Sequence, residues 1–278
     1  MKKLYITDLD GTLLDSNAVL SSRSKAIINK VLADGAAFTV ATARTFATVL
    51  KLFEGVELKL PLVLMNGVML FDPVKRSIIN CHSINPESLE KILSVYRKHR
   101  IFPLVYRIKD NLLEIEYYST DNPYQMKYVG KRVEADGKRF VFSDSFTAEN
   151  KSEAIYIVTL DKYDRILPLY EDIKKIDDIS CVFYSDNYTD CYFLEIFASG
   201  VSKASSMAEV KKVIGAESVV AFGDNLNDME MFRMADESYA VENACSELKK
   251  LATGVIGTND DSSVAEYILK DYTVSSDE

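Results

Sequence analysis

The sequence predicts an α/β fold, in which a core with a parallel β-sheet is interrupted by an inserted α+β domain. Strand-like apolar segments alternate with segments of helical apolar spacing over residues 1–82 and again after Ile196. This alternation is typical of strand–helix–strand units. Between these stretches, strand-like segments follow one another, which favours an antiparallel sheet. We therefore expect a core domain of residues 1–82 and 190–278 and an insert of residues 83–189.

The first part of the core reads as alternating strands and helices. Leu4–Thr7 has the length and apolar content of a buried strand. Ser22–Leu32 has the apolar spacing of a helix, and Asp34-Gly35 is its stop signal. Asn66-Gly67 lies between apolar runs and predicts a hairpin turn. The other predicted elements are a strand at Ala37–Ala41, a helix at Thr45–Phe53, a strand at Leu62–Met65, and strands at Val68–Phe71 and Ser77–Cys81.

The same patterns predict the elements of the insert and of the second part of the core. In the insert we expect helices at Pro86–His99 and Lys162–Ile176 and strands at Leu104–Ile108, Leu112–Tyr118, Ala154–Leu160 and Cys181–Tyr184. In the core we expect helices at Lys203–Val213, Leu226–Met234 and Cys245–Leu251 and strands at Ser218–Phe222, Tyr239–Val241 and Gly254–Gly257. The tail beyond Tyr272 is predicted to be disordered.

The composition excludes several classes of protein. A chain of 278 residues with 47% hydrophobic residues can bury a substantial core, and a net charge of −9 argues against a general nucleic-acid-binding protein. The four cysteines form no C-x-x-C pair and the chain has two histidines, so neither a structural zinc site nor a disulfide framework is expected. Without a signal peptide or a membrane-spanning segment, we expect a cytoplasmic protein that does not act on membranes. The oligomeric state is not predicted.

Polar side chains come directly after several of the predicted strands. In a parallel α/β sheet, ligands bind at this place, outside the carboxyl ends of the strands. These side chains, with a lysine that opens a helix, belong to Asp8, Asp10, Thr42, Lys203, Asp224, Asn227 and Asp228. Taken singly, nearly all fit an ordinary turn or helix cap. Together the carboxylates would repel one another, by roughly 4 kcal/mol for a pair about 4 Å apart near a surface. A hard divalent cation with oxygen ligands, usually Mg²⁺, removes this repulsion.

The same residues carry a resemblance to a known family. Four segments resemble, in the right order, the four motifs of the haloacid dehalogenase superfamily. They are Asp8-Leu9-Asp10-Gly11-Thr12, Thr42, Lys203 and Gly223-Asp224-x-x-Asn227-Asp228. The Asn66-Gly67 turn and the large insert between the second and third motifs resemble the Cof-like branch, which has a C2-type cap. This resemblance implies a Rossmann-like, doubly wound parallel-sheet core with the insert as its cap.

Two departures from the branch's usual pattern are visible. Thr42-Ala43-Arg44 stands where the branch usually has Thr-Gly-Arg, and Ser202-Lys203-Ala204 where it has Ser-Lys-Gly. Because both departures keep a small residue, we expect shifted backbone contacts rather than lost activity.

The resemblance implies a phosphatase that hydrolyses small phosphorylated metabolites, such as sugar phosphates, through an aspartyl-phosphate. Asp8 would be the nucleophile, and Asp10 would act first as general acid and then as general base. Mg²⁺ would be held by Asp8, by the backbone carbonyl of Asp10 and by Asp224. Phosphate oxygens would be bound by Thr42, Lys203 and Asn227, and Asp228 would act through waters or by orienting Lys203. The cap would close over the site and select the leaving group.

Three other functions share part of this sequence pattern. The stretch Gly200-Val201-Ser202-Lys203-Ala204 approaches the nucleophile motif of α/β-hydrolases, but both histidines, His82 and His99, precede the serine, which excludes that reading. A non-catalytic phosphate-binding module would not need Asp10, and a phosphomutase of the same fold would return the phosphoryl group to a sugar. These two alternatives stay open at the level of sequence.

Overall fold

A computed structural model describes residues 2–109, 112–118, 121–130, 138–144, 153–185 and 189–276. The chain divides into two compact units. The first comprises Met1–Asn80 and Ser202–Glu278, and the second comprises Cys81–Val201. Among the described residues, no helix combines the length and apolar character that crossing a bilayer requires.

The first unit is built on a five-stranded sheet in which every neighbouring pair of strands is parallel. Its strands are β1 (Lys3–Thr7), β2 (Ala37–Val40), β12 (Ser218–Gly223), β13 (Glu237–Ala240) and β14 (Gly254–Val255). They lie in the order β14-β13-β12-β1-β2. The strand that follows β1 therefore lies on one side of the central pair β1 and β12, and the strand that follows β12 lies on the other side. The central strands are buried on both faces, as a doubly wound sheet requires. This confirms the predicted α/β core.

The described residues of the first unit form six α-helices that flank or follow these strands, and side-chain caps are present at the start of two of them. The six helices are α1 (Ser22–Ala33), α2 (Phe46–Leu52), α6 (Lys203–Ile214), α7 (Met229–Met234), α8 (Ser246–Leu251) and α9 (Ser263–Ser276). Helix α1 is capped at its N-terminus by Ser21, whose hydroxyl accepts from the Ser24 amide at 3.0 Å. Helix α6 has a capping box at Ser202 and Ser205 and ends at Gly215 in the left-handed region.

The prediction of a disordered tail beyond Tyr272 is wrong for residues 273–276, because α9 continues to Ser276. Residues 277–278 lie outside the described residues. The helix is anchored by tertiary contacts that a local pattern does not reveal. Tyr272 donates its hydroxyl to the carbonyl of Asp34, the residue that ends α1, at 2.6 Å. Further back along α9, Val264 and Ile268 are buried.

A small three-stranded sheet contains the predicted hairpin. Its strands are β3 (Leu62–Leu64), β4 (Met69–Asp72) and β5 (Ser77–Cys81). β3 and β4 are antiparallel, and a parallel bridge between Ala41 and Val63 places β3 beside the end of β2. The turn between them has positive φ at Met65, Asn66 and Gly67 (52°, 55° and 98°). The predicted Asn66-Gly67 hairpin is confirmed.

The second unit is an α+β domain with a six-stranded sheet. Its strands are β6 (Leu104–Lys109), β7 (Leu112–Tyr117), β8 (Lys138–Phe142), β9 (Ala154–Asp161), β10 (Ile179–Ser185) and β11 (Tyr192–Ala198), in the order β10-β11-β9-β6-β7-β8. Its helices are α3 (Pro86–His99), α4 (Pro123–Gly130) and α5 (Tyr163–Ile173). The buried faces of α3 and α5 share one apolar cluster with β9 and β11, to which Ile92, Ile157, Leu169 and Leu194 belong.

Three features of this unit differ from the expectation. The sheet is mixed rather than antiparallel, because β7 and β8 pair in parallel. β11 pairs with β9 and β10, so the second unit continues to Val201, whereas the sequence suggested that the core resumes at residue 190. An apolar strand pattern does not say which of two sheets the strand joins. α4 and β8 were not predicted at all.

Candidate active site

Asp8 and Asp224 follow the two central parallel strands of the first unit. Asp8 comes directly after β1, and its amide donates to the Phe222 carbonyl of β12 at 3.0 Å. Asp224 comes directly after β12. The strand order reverses between β1 and β12, and ligands of open α/β sheets bind at such a switch point. Both carboxylates are buried.

Lys203 is the first residue of α6, and its side chain is 1% exposed. Its Nζ lies 2.8 Å from Asp8 Oδ1 and 2.8 Å from Asp228 Oδ1. A lysine at this end of a helix opposes the helix dipole, so it needs anionic partners. Asp8 and Asp228 are those partners, and Lys203 links the ends of two strands through one ammonium group.

Asp228 and Asp224 are fixed by the loop that follows β12. Asp228 Oδ2 accepts from the backbone amides of Asp224 and Asn225 at 3.0 and 3.1 Å. Thr12 donates its hydroxyl to Asp224 Oδ1 at 2.8 Å. Gly11 has φ +74°, and a Cβ there would lie 2.6 Å from Asp224 Oδ2, so this close approach requires glycine.

The carboxylates of Asp8, Asp224 and Asp228 form a buried acidic group in which one oxygen from each lies within 4.8 Å of the others. Burial, with a further contribution from Asp228, raises the pKa of Asp224 to about 7. Burial also raises the pKa of Asp8, although Lys203 partly offsets it. The pKa of Lys203 is raised, because Asp228 and Asp8 outweigh the opposing effect of its burial. A further cation bound at the acidic group would therefore stabilise the charged forms of its carboxylates.

Asp10 lies outside this acidic group and is bound by Arg44. Arg44 Nε donates to Asp10 Oδ2 at 2.7 Å, and Nη2 donates to Asp10 Oδ1 at 2.5 Å. The predicted metal ligand at Asp10 is its backbone carbonyl, so the carboxylate would remain available for proton transfer. Arg44 was absent from the predicted site residues. The signal that could have found it is its place two residues after Thr42 at the end of β2.

Thr42 and Asn227 lie beside the turn that follows β3. Thr42 is 1% exposed, and its Oγ1 accepts from the Arg44 amide at 3.1 Å. Its carbonyl accepts from the Asn66 amide at 3.0 Å. Asn227 donates its side-chain amide to Asn66 Oδ1 at 3.4 Å. The turn thus connects two of the three residues that we predicted to bind phosphate.

The third, Lys203, is supported by the same turn. Ser206 on α6 donates its hydroxyl to the Gly67 carbonyl at 2.8 Å. Gly67 has φ +98°, and a Cβ there would lie 2.2 Å from the Ser202 carbonyl oxygen. Only glycine permits this contact with the start of α6, so Gly67 helps to set the position of Lys203. The sequence indicated the turn but not this role.

Comparison with known proteins agrees with this geometry. A family model described as haloacid dehalogenase-like hydrolase matches residues 5–268. The 5-amino-6-(5-phospho-D-ribitylamino)uracil phosphatase of Bacillus subtilis is 22% identical over 272 residues, covering 97% of both chains. The pyridoxal phosphate phosphatase of Escherichia coli is 22% identical over 272 residues, covering 96% of this chain and 97% of the relative.

Comparison with a solved structure supports the same fold. A haloacid dehalogenase-like hydrolase from Bacteroides thetaiotaomicron has a TM-score of 0.80 at 22% identity, with 98% of this chain and 100% of that chain covered. The family model spans nearly the whole chain, and the relatives match along their whole length. The chain therefore belongs to the haloacid dehalogenase-like hydrolase family, in its Cof-like branch of phosphatases.

Proposed function

We propose that this phosphatase hydrolyses small phosphorylated metabolites, such as sugar phosphates, through a phosphoryl group carried on Asp8, with Mg²⁺ as cofactor. The observation that carries the proposal is the buried contact of Lys203 with Asp8 and Asp228, at 2.8 Å each, beside Asp224. This arrangement offers a nucleophile, a cation for phosphate oxygens and carboxylates for a metal ion at one end of the sheet. Two relatives are named as phosphatases of 5-amino-6-(5-phospho-D-ribitylamino)uracil and of pyridoxal phosphate, which are both small phosphate monoesters.

The acidic group fits a hard divalent cation. It offers carboxylate oxygens, which Mg²⁺ prefers. Burial, with a further contribution from the neighbouring carboxylates, raises the pKa values of Asp8 and Asp224, so a bound cation would stabilise their charged forms. Both oxygens of Asp228 already accept hydrogen bonds, from Lys203 and from backbone amides, which suits a supporting role. Asp8, Asp224 and the backbone carbonyl of Asp10 would therefore hold the ion. When bound, Mg²⁺ would neutralise the charge that otherwise keeps a carboxylate from approaching a phosphate.

The remaining steps are carried out by side chains of this chain. A carboxylate oxygen of Asp8 attacks phosphorus, and the bond from phosphorus to the leaving oxygen breaks while Asp10 donates a proton to that oxygen. Asp10 then removes a proton from water, and the water oxygen attacks the phosphoryl group on Asp8. The bond between phosphorus and the Asp8 carboxylate oxygen breaks, which releases inorganic phosphate and regenerates Asp8. Lys203, Thr42 and Asn227 bind the phosphate oxygens during both steps.

The metal assignment predicts a thermal shift. Addition of Mg²⁺ at about 100 times its dissociation constant should stabilise the wild-type protein by about 2.7 kcal/mol. For a chain of this size that corresponds to a rise in Tm of roughly 5–10 °C, measured by calorimetry. The Asp224→Asn variant should lose the shift, because it removes a charged ligand. The Asp34→Asn variant, changed at the exposed end of α1, should keep it. An unchanged shift in Asp224→Asn would contradict the assignment.

The role of Asp10 predicts a burst in the hydrolysis of p-nitrophenyl phosphate by the Asp10→Asn variant. Nitrophenolate leaves without a proton, so the first step should stay fast. Attack of water on the phosphoryl-Asp8 should slow by roughly 10²- to 10⁴-fold, because the general base is missing. Rapid mixing should record about one equivalent of nitrophenolate and then slow turnover. A variant that keeps full steady-state turnover would exclude Asp10 as the base.

The substrate class and the two alternatives are separated by other measurements. Phosphate release from a panel of phosphorylated sugars, nucleotides and cofactors identifies the preferred leaving group. A phosphate-binding module would release none from any substrate in the presence of Mg²⁺. A phosphomutase would isomerise a sugar phosphate when glucose 1,6-bisphosphate is added.

A further inference from the structure

The contact between Arg44 and Asp10 has a geometry that an ordinary surface ion pair lacks. Two nitrogens of the guanidinium donate to the two different oxygens of Asp10, at 2.7 and 2.5 Å. This bidentate arrangement fixes the plane of the carboxylate as well as its position. Both side chains are largely buried, with 21% and 30% of their surfaces exposed. By contrast, Arg23 contacts Glu266 with 69% of the arginine side chain exposed.

Arg44 is itself held in place from two sides. Its amide donates to Thr42 Oγ1 at 3.1 Å, and its carbonyl accepts from the Met65 amide at 3.1 Å. Asp10 lies in the loop after β1, and Arg44 lies after the neighbouring parallel strand β2. The pair therefore connects the ends of adjacent strands at the catalytic edge of the sheet. Each end of the contact therefore follows closely on a strand of the core sheet.

We propose that Arg44 is a positioning residue for the phosphatase reaction, which holds the carboxylate of Asp10 in the orientation from which it serves the leaving oxygen. This inference rests on the proposed function, in which Asp10 transfers the proton. A carboxylate on a short side chain can rotate about two bonds, and proton transfer requires a defined distance and direction. The two hydrogen bonds from the guanidinium restrict that rotation of the Asp10 carboxylate.

The proposal predicts an effect that depends on the leaving group. An alkoxide needs a proton as it departs, whereas p-nitrophenolate does not. The ratio kcat/KM reports the steps up to departure of the leaving group. For an alkyl phosphate, Arg44→Ala should lower kcat/KM by roughly 10- to 100-fold. For p-nitrophenyl phosphate the loss should be about threefold or less. An arginine that merely supported the fold or bound phosphate would affect both substrates equally.

The experiment measures kcat/KM for a series of substituted phenyl phosphates and one alkyl phosphate. The variants are Arg44→Ala, Arg44→Lys, Asp10→Asn and the double variant, with Arg23→Ala as the matched control. Arg44→Lys should show an intermediate loss, because an ammonium group does not reproduce the bidentate contact. The double variant should resemble Asp10→Asn, since both changes act through one carboxylate. Arg23→Ala should match the wild type.

The outcomes separate this inference from the proposed function. Equal losses for all leaving groups in both Arg44 variants, or additive losses in the double variant, would overturn the positioning role. If Asp10→Asn itself showed no dependence on the leaving group, the proposed role of Asp10 would fail instead. If Arg44→Ala does not fold, Arg44→Lys decides the question with the same substrate series.

Discussion

Replacement of Asp8 by asparagine should lower turnover of phosphate monoesters by roughly 10⁴- to 10⁶-fold, the scale found when an enzyme's nucleophile is removed. The amide cannot form the acyl phosphate, so neither half of the reaction can proceed. The fold should persist, because asparagine keeps the size of the side chain and an oxygen that can accept from Lys203 Nζ. Phosphate release and the thermal midpoint should both be measured.

The Asp34→Asn variant is the matched control for this change, because the same substitution is made at an exposed residue after α1. It should retain full activity. Residual activity of Asp8→Asn must be followed by mass spectrometry, since slow deamidation regenerates aspartate. Turnover within about tenfold of the wild type, with asparagine intact, would refute the covalent mechanism.

Replacement of Lys203 by methionine should reduce both stability and activity. Lys203 is enclosed between Asp8 and Asp228, and its loss leaves two buried carboxylates without their cation. Breaking a buried ion pair in this way costs about 3–5 kcal/mol, which denaturant unfolding without added metal should detect. Methionine fills a similar volume, so the loss arises from charge rather than from a cavity. Activity should fall by at least about 10²-fold, as for loss of a donor to transferring oxygens.

Lys211→Met on the same helix is the control. Lys211 contacts Asp236 at 3.0 Å, but both side chains are partly exposed, so the pair contributes about 1 kcal/mol or less. Activity of this variant should be unchanged. If Lys203→Met were no less stable than Lys211→Met, the contact of Lys203 with Asp8 and Asp228 would not contribute to the free energy of unfolding as its burial indicates.

The sequence allowed the core fold to be predicted because the alternation of apolar strands and amphipathic helices is local. The parallel core sheet, the hairpin at Asn66-Gly67 and the position of α3 all appear in the structure as expected. The structure brings Asp8, Asp224 and Asp228 together with Lys203, from segments far apart in the chain. Their convergence could be inferred because parallel strands end at the same edge of a sheet.

Other features depended on contacts that no local pattern contains. β11 has the same apolar character as a core strand, and only its partners β9 and β10 place it in the second unit. The end of α9 is held by the contact of Tyr272 with α1. Gly67 belonged to a predicted turn and Arg44 to the segment that follows the second strand, and their contacts appear only when the start of α6 and Asp10 are placed beside them.

The sequence by itself determined the type of fold and the charged residues at the sheet edge, because these follow from apolar periodicity and from the residues after each strand. Its motifs also resemble those of the family to which the chain belongs. Tertiary structure alone decided which charges meet. It placed Lys203 between Asp8 and Asp228 and turned Asp10 toward Arg44. The physical reason is that ionic contacts form over a few ångströms between residues distant in the chain, whereas sequence patterns report only neighbours along it.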